Sequence, residues 1–207
     1  MHLLTVHTAA GRLYEVDVRL RPSGKGGLAF TQIGVFENYQ RARGLDLGTP
    51  GAPAFALDRG DAALGAAFAA IRKSVLIEAV KRQNAARGDR RDARAHARRD
   101  TARPRDGLFD LKQDRGGIAD IEFLAQYWVL QHVSRYPPLA EFPDTIRQLE
   151  SVGSAALVDH RVIDRLVDAY RAYRQAAHHL SLEQRPAVVD ARELAAIRSA
   201  VAAVWGA

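Results

Sequence analysis

Charged residues that could do chemistry are concentrated in residues 109–127 of this 207-residue sequence. There Asp110, Lys112 and Asp114 lead into a Gly-Gly turn, and an apolar-periodic helix begins directly after that turn. Carboxylates and a lysine are thereby gathered where a strand passes into a helix. Mg²⁺ takes oxygen ligands and commonly shares them with the phosphates of a substrate. The residue types therefore indicate a site that handles phosphate and metal.

A second charged group lies on a predicted strand at 12–21. Apolar residues alternate there with charged ones, among them Asp17, Arg19 and Arg21, so a period of two places the charges on one face. Asp17 could bind a metal beside phosphate-binding arginines, but the strand alone favours a solvent-exposed face with weak salt bridges. The loop at 22–27 could present backbone N–H groups to an anion, although it lacks the residue order of a P-loop.

The predicted helix that follows the Gly-Gly turn carries Asp120 and Glu122 near its start. Residues two apart point to different sides of a helix, so these carboxylates do not form a metal pair there. A first-turn acid that complements the helix dipole explains Asp120 but not Glu122. The adjacent His178 and His179 have no zinc-site spacing and are interpreted as structural.

Hydrophobic periodicity predicts the elements that must position these residues. Alternation predicts a β-hairpin from strands at 2–7 and 12–21, and the Gly- and Pro-rich stretch 43–60 is typical of a linker. The remaining predicted elements are a strand at 108–112 and helices at 32–42, 61–80, 118–132, 143–152, 159–181 and 190–205. The expected fold class is α+β, with a partial β-sheet followed by a mostly antiparallel helical bundle.

Composition and charge exclude several classes of protein. The absence of cysteine excludes disulfides and thiolate metal sites. No apolar run approaches the roughly 18 residues of a membrane span, and the N-terminus does not resemble a secretory signal, so we expect a cytoplasmic protein without membrane contact. Ten of the 30 basic residues lie in 81–105, against three Asp, so the net charge of +6 belongs to one segment. That segment has no aromatic residue to stack on bases, which argues against nucleic-acid binding.

Three stretches taken together resemble the bifunctional glutamine synthetase adenylyltransferase/adenylyl-removing enzymes, members of the polymerase-β-like nucleotidyltransferase superfamily. They are the Gly-Arg-Leu-Tyr-Glu-Val-Asp-Val-Arg-Leu-Arg-Pro-Ser-Gly stretch at 11–24, residues 109–127, and the tail with Asp-Ala-Tyr-Arg-Ala-Tyr-Arg at 168–174 and His-His-Leu at 178–180. The Arg-Pro-Ser-Gly loop resembles the C-terminal, adenylylating half of these enzymes. The resemblance implies a nucleotidyltransferase remnant at 1–42, a linker or aberrant segment at 43–106 with one helix at 61–80, and a helical bundle at 107–207 similar to that of PII-uridylyltransferase.

The resemblance also implies an activity and its residues. Family members transfer AMP from ATP to a tyrosine of glutamine synthetase, and reverse the transfer by phosphorolysis, with Mg²⁺ held by three carboxylates. Glutamine synthetase and a PII signal protein are the partners that it implies. Asp17 would be the catalytic, metal-binding carboxylate, and Asp120 and Glu122 would face the nucleotide cleft from the helical domain. The implied nucleotide contacts are Arg19, Arg21, Ser23, Gly24, Lys25 and Lys112.

One departure from the family pattern bears on activity. The family places two of its three carboxylates in an Asp-x-Asp pair after a Gly-Ser turn, upstream of the strand that matches Asp17, and the 207 residues contain no such pair. We therefore expect this chain to be inactive alone. The alternatives are a non-catalytic interaction or regulatory module, or a degraded gene product in which frameshifts produced 43–59 and 84–105.

Overall fold

The computed structural model of the chain describes residues 31–43, 61–86 and 107–205. The chain divides into two units, Met1–Arg43 and Gly44–Ala207. The hairpin expected at 2–7 and 12–21 lies outside the described residues. In the first unit, helix α1 spans Ile33–Arg43 and carries an ion pair between Glu37 and Arg41, one helical turn apart, with a 2.8 Å distance from Oε1 to Nη2.

The second unit contains five helices, one 3₁₀ segment and two short strands in its described part. In chain order they are α2 (Ala62–Ala86), β1 (Leu108–Asp110), α3 (Ile118–His132), the 3₁₀ segment Pro137–Ala140, α4 (Thr145–Ser154), α5 (His160–Leu182), β2 (Val188–Asp190) and α6 (Ala195–Val204). The predicted α+β class is confirmed, and α3 has its predicted bounds. The helix predicted at 190–205 begins five residues later, because the chain before it forms β2 and a turn.

The small sheet joins two segments that are distant in sequence. Strands β1 and β2 pair antiparallel, with Phe109 opposite Val189. The Asp190 side chain then accepts a hydrogen bond from the Arg192 N–H at 2.8 Å, which turns the chain away from the sheet and toward α6. The pairing therefore brings the segment after α5 against the segment that leads into α3.

Local capping sets the ends of α4 and α5. Asp144 and Asp159 are the N-caps, and their carboxylates accept from the N–H groups of Arg147 at 3.0 Å and Arg161 at 2.7 Å. Both helices end in a Schellman motif, in which one residue after the helix adopts a left-handed backbone conformation. This residue is Ala156 after α4, with a φ of 53°, and Gln184 after α5, with a φ of 55°. These caps fix where each helix turns back onto the core.

The core lies where α3 and α5 meet, with α4 and α6 packed around them. Each helix buries one apolar stripe at the spacing of three and four expected for an amphipathic helix. The stripe of α3 is Ile118, Ile121, Leu124, Ala125 and Val129, and that of α5 includes Ile163, Leu166, Val167 and Tyr173. Phe109 of β1 meets the Tyr173 ring edge-on, with 5.7 Å between ring centres. The block 109–127 is therefore built into the core on its apolar side.

A buried arginine attaches α2 to the segment before α4. The Arg72 guanidinium donates to the carbonyl oxygens of Ala140 and Phe142, the second at 3.0 Å. Gln148 of α4 also donates to the Phe142 oxygen, at 3.2 Å. Burial lowers the pKa of Arg72 to about 10, so the guanidinium remains charged at neutral pH. The helix predicted at 61–80 thus becomes part of the second unit through polar as well as apolar contacts.

Candidate functional site

The turn after β1 is folded by its own carboxylates. The Asp110 Oδ1 atom accepts hydrogen bonds from the N–H groups of Lys112 at 2.9 Å and Gln113 at 3.0 Å. The Asp114 Oδ2 atom accepts from the Asp110 N–H at 2.8 Å. Such contacts between a side chain and nearby backbone are what aspartate supplies in tight turns. Both carboxylates therefore hold the turn in shape, which is a structural use of residues that the sequence presented as candidate metal ligands.

The Gly-Gly pair is required by close approach of two other chain segments. Gly116 has a φ of +83°, and a Cβ there would lie 2.6 Å from the carbonyl oxygen of Arg198 in α6. A Cβ on Gly117 would lie 2.7 Å from the carbonyl oxygen of Leu111. Only glycine fits both positions. The Arg198 side chain covers the turn, since its Nε donates to the Arg115 oxygen at 3.0 Å and its guanidinium lies 4.7 Å from the Phe109 ring centre.

Asp120 belongs to the same turn. Its Oδ2 accepts a hydrogen bond from the Gly116 N–H at 2.6 Å, across the start of α3. Burial raises the pKa of Asp120, while the hydrogen bond from Gly116 and the charge of Arg115 act in the opposite direction. The first-turn carboxylate thus satisfies a backbone donor at the helix N-terminus.

Glu122 points elsewhere, toward α5. Its Oε1 accepts a hydrogen bond from the Tyr170 hydroxyl at 3.1 Å. Burial raises the pKa of Tyr170, and the nearby Glu122 charge adds to this effect, while Thr145 acts in the opposite direction. Sequence reasoning missed this role for Tyr170, because nothing in the local pattern pairs residues 48 positions apart.

Lys112 is exposed beside the first turn of α3. Its carbonyl oxygen accepts from the Ala119 N–H at 3.2 Å. Glu122 follows Ala119 by three residues and so lies on the same side of the helix. Lys112 therefore lies in the turn directly before α3, and the half-buried Glu122 lies in the second turn of that helix. Asp120 is instead directed back to the Gly-Gly turn.

The described residues do not form a metal site by themselves. No group of three or more His, Asp or Glu side chains among residues 31–43, 61–86 and 107–205 is arranged to hold a cation. Asp110, Asp114 and Asp120 already accept from backbone N–H groups, and His178 and His179 are exposed near the end of α5. The predicted residues Asp17, Arg19, Arg21, Ser23, Gly24 and Lys25 lie outside the described part of the chain. Within that part, no helix is long and apolar enough to cross a membrane.

A separate groove lies between the 3₁₀ segment and α4. Tyr136, Phe142, Arg147 and Glu150 are among its lining residues, and the Arg147 guanidinium lies 5.1 Å from the Phe142 ring centre. None of the residues predicted for the nucleotide site lines it.

Comparison with known proteins gives two family matches. Residues 1–47 match the family model of glutamate-ammonia ligase adenylyltransferase, and residues 82–187 match that of GlnD PII-uridylyltransferase. Matched relatives include the bifunctional glutamine synthetase adenylyltransferase/adenylyl-removing enzymes of Thioalkalivibrio sulfidiphilus and Nitrosococcus oceani, each 41% identical over 210 residues. The Methylococcus capsulatus enzyme is 40% identical over 204 residues.

These alignments cover 98% to 100% of this chain but 21% of each of the three relatives, so the chain spans about a fifth of their length. The resemblance to the bifunctional adenylyltransferase/adenylyl-removing enzymes is thereby confirmed. The chain belongs to the family whose model covers half of it, the GlnD PII-uridylyltransferase family.

Proposed function

We propose that this chain forms the helical-domain wall, and part of the catalytic domain, of an enzyme that transfers AMP from ATP to a tyrosine of glutamine synthetase and removes it by phosphorolysis. The observation that carries the proposal is the half-buried Glu122 carboxylate of α3, which Tyr170 holds at 3.1 Å, on the helix that follows the turn bearing exposed Lys112. A lysine suits the phosphates of a nucleotide, and a carboxylate suits its O–H or N–H donors. The turn that bears Lys112 and leads into α3 is held by five backbone and side-chain hydrogen bonds.

Charge neutralisation is the part of the reaction that these residues would supply. AMP transfer forms a bond from the tyrosine oxygen to the α-phosphorus and releases pyrophosphate, on which negative charge accumulates. Lys112 would meet part of that charge. The further nucleotide contacts that the family resemblance implies are Arg19, Arg21, Ser23, Gly24 and Lys25. Asp120 contributes by holding the turn that presents Lys112.

Mg²⁺ is the cofactor that fits the proposed chemistry, with Asp17 as its ligand in this chain. When bound, the metal would supply Lewis-acid stabilisation of the negative charge on the phosphates. The described carboxylates do not complete such a site, and the 207 residues contain no Asp-x-Asp pair. We therefore propose that the chain alone does not transfer AMP, and that it acts together with a segment that supplies the two further carboxylates.

A second candidate function is a non-catalytic module that binds glutamine synthetase or a PII protein. The family match over residues 82–187 supports it, because this match covers the helical part and not the strand with Asp17. The engagement of Asp110, Asp114 and Asp120 with backbone donors is also consistent with a stable scaffold.

The experiment that separates the two uses ATP labelled at the α-phosphate. One sample contains the purified 207-residue chain with glutamine synthetase, and the other a chimera in which the preceding residues of the Thioalkalivibrio sulfidiphilus relative are joined to residue 1. We expect labelled glutamine synthetase from the chimera only. A chimera that binds glutamine synthetase without transferring AMP would favour the non-catalytic module.

A further inference from the structure

The Tyr170 hydroxyl joins two helices. It belongs to α5, and it contacts Glu122 of α3 with 3.1 Å between the two oxygens. A phenol has one hydrogen to donate and lone pairs to accept with. Since an ionised carboxylate can only accept, Tyr170 donates its hydrogen to Oε1 of Glu122.

The hydrogen bond from Tyr170 engages one oxygen of the Glu122 carboxylate, Oε1. An ionised carboxylate has about four acceptor positions over its two oxygens. Glu122 is half-buried rather than enclosed, so part of the residue is open to solvent. A glutamate loses much rotamer freedom when it binds a ligand, and the contact with Tyr170 imposes part of that restriction beforehand.

Another tyrosine of the same helix provides a contrast. Tyr173 lies three residues after Tyr170 and is fully buried, and its hydroxyl has no hydrogen-bond partner among the described residues. Its ring packs against Phe109 in the core. A tyrosine that serves packing alone is thus present on the same helix, and its hydroxyl shows no such directed contact.

We infer that Tyr170 is a positioning residue that holds Glu122 ready to accept a hydrogen bond from an O–H or N–H donor of the nucleotide. The inference rests on the proposed function, in which Glu122 belongs to the nucleotide wall. It assigns Tyr170 no contact with ATP. Its effect on binding is therefore transmitted entirely through the Glu122 carboxylate.

A double-mutant cycle on the chimera described above tests this inference, with ATP binding measured by calorimetry. We expect Glu122→Gln to weaken ATP binding about tenfold and Tyr170→Phe about three- to tenfold. The double variant should bind no more weakly than Glu122→Gln alone, because Tyr170 has nothing left to position.

Tyr173→Phe is the matched control, since it removes the other hydroxyl from the same helix, and we expect its ATP affinity to equal that of the wild type. Thermal unfolding of every variant detects loss of the fold. Unchanged affinity in a folded Tyr170→Phe variant, or additive losses in the double variant, would overturn the inference and leave the proposed function intact. A chimera without substitutions that does not bind ATP would refute the nucleotide wall and the inference together.

Analogues of ATP identify the donor that Glu122 accepts from. The 2′-deoxy and 3′-deoxy analogues each lack one ribose hydroxyl, and purine riboside triphosphate lacks the exocyclic amine. The analogue that wild type and Glu122→Gln bind equally well is the one that lacks the donor. If the loss in Glu122→Gln persists with every analogue, Glu122 accepts from no single donor of the nucleotide, and the inference fails.

Discussion

Replacement of Gly116 by alanine tests the geometry of the turn that carries Lys112 and Asp120. Gly116 combines two features that exclude a side chain. Its φ of +83° lies in the left-handed region, and an added Cβ would meet Arg198 of α6 at 2.6 Å from the carbonyl oxygen and 2.9 Å from Cγ. The Cγ atom belongs to a flexible side chain, but the oxygen belongs to the backbone of a packed helix and cannot move alone.

The expected loss of stability has two parts. Placing alanine in the left-handed region costs about 1–2 kcal/mol. Forcing the turn and α6 apart is a case of overpacking, which costs about 1–3 kcal/mol. Gly116→Ala should therefore reduce the free energy of unfolding by about 2–5 kcal/mol, a large part of the 5–15 kcal/mol typical of a whole domain.

Gly107→Ala is the matched control for the steric part. Gly107 has a φ of +77°, nearly the same as that of Gly116, but nothing lies within 4 Å of its added Cβ. Urea unfolding followed by circular dichroism should give a loss of about 1–2 kcal/mol for this control. If Gly116→Ala costs no more than Gly107→Ala, then α6 does not approach the turn as described, and the rigidity argued for the Lys112 turn is refuted.

Three further changes test a buried hydroxyl, the titration of Asp120 and the backbone conformation after α4. Tyr173→Phe should raise the free energy of unfolding by up to about 1 kcal/mol, because it removes a buried hydroxyl without a partner among the described residues, and urea unfolding measures the change. Burial raises the pKa of Asp120 in the folded state. Asp120 therefore contributes to the free energy of unfolding at pH values below its unfolded-state pKa, and this contribution is lost as the pH rises through its folded-state pKa. In urea unfolding measured across the acidic pH range, Asp120→Asn should remove this decrease in the free energy of unfolding. If the decrease persists in the variant, another titrating group causes it. Ala156→Gly should raise the melting temperature by relieving a φ of 53°, whereas Ala155→Gly, at a φ of −79°, should lower it slightly.

Local signals predicted the helix that bears the site. Helix α3 begins at the Gly-Gly turn and ends before Tyr136-Pro-Pro, and the apolar spacing between these breaks is helical, so its bounds could be predicted from the sequence alone. Strand β2 could not be predicted, because it has three residues and its partner β1 lies some 80 residues earlier in the chain. Strand pairs that distant depend on tertiary packing rather than on local pattern.

The chemistry of the block 109–127 was harder to predict than its fold. Its residue types indicated a cluster of charges, and the resemblance assigned Lys112, Asp120 and Glu122 to a cleft. Whether a carboxylate accepts from backbone N–H groups two and three residues later, as Asp110 does, or from a side chain of another helix, as Glu122 does, depends on distances that only folding sets. The roles of Asp17 and the residues near it remain predictions, since they lie outside the described part of the chain.

The most direct test of the central proposal is AMP transfer to glutamine synthetase by the chimera, with Lys112→Ala compared against Lys73→Ala. Both lysines are exposed, but Lys73 lies on α2, which contributes no residue to the proposed wall. We predict that Lys73→Ala retains full transfer, while Lys112→Ala raises the KM for ATP and lowers transfer by about tenfold or more, as expected on loss of a phosphate-binding cation. Equal transfer by the two variants, or transfer by the 207-residue chain alone at the rate of the chimera, would contradict the account.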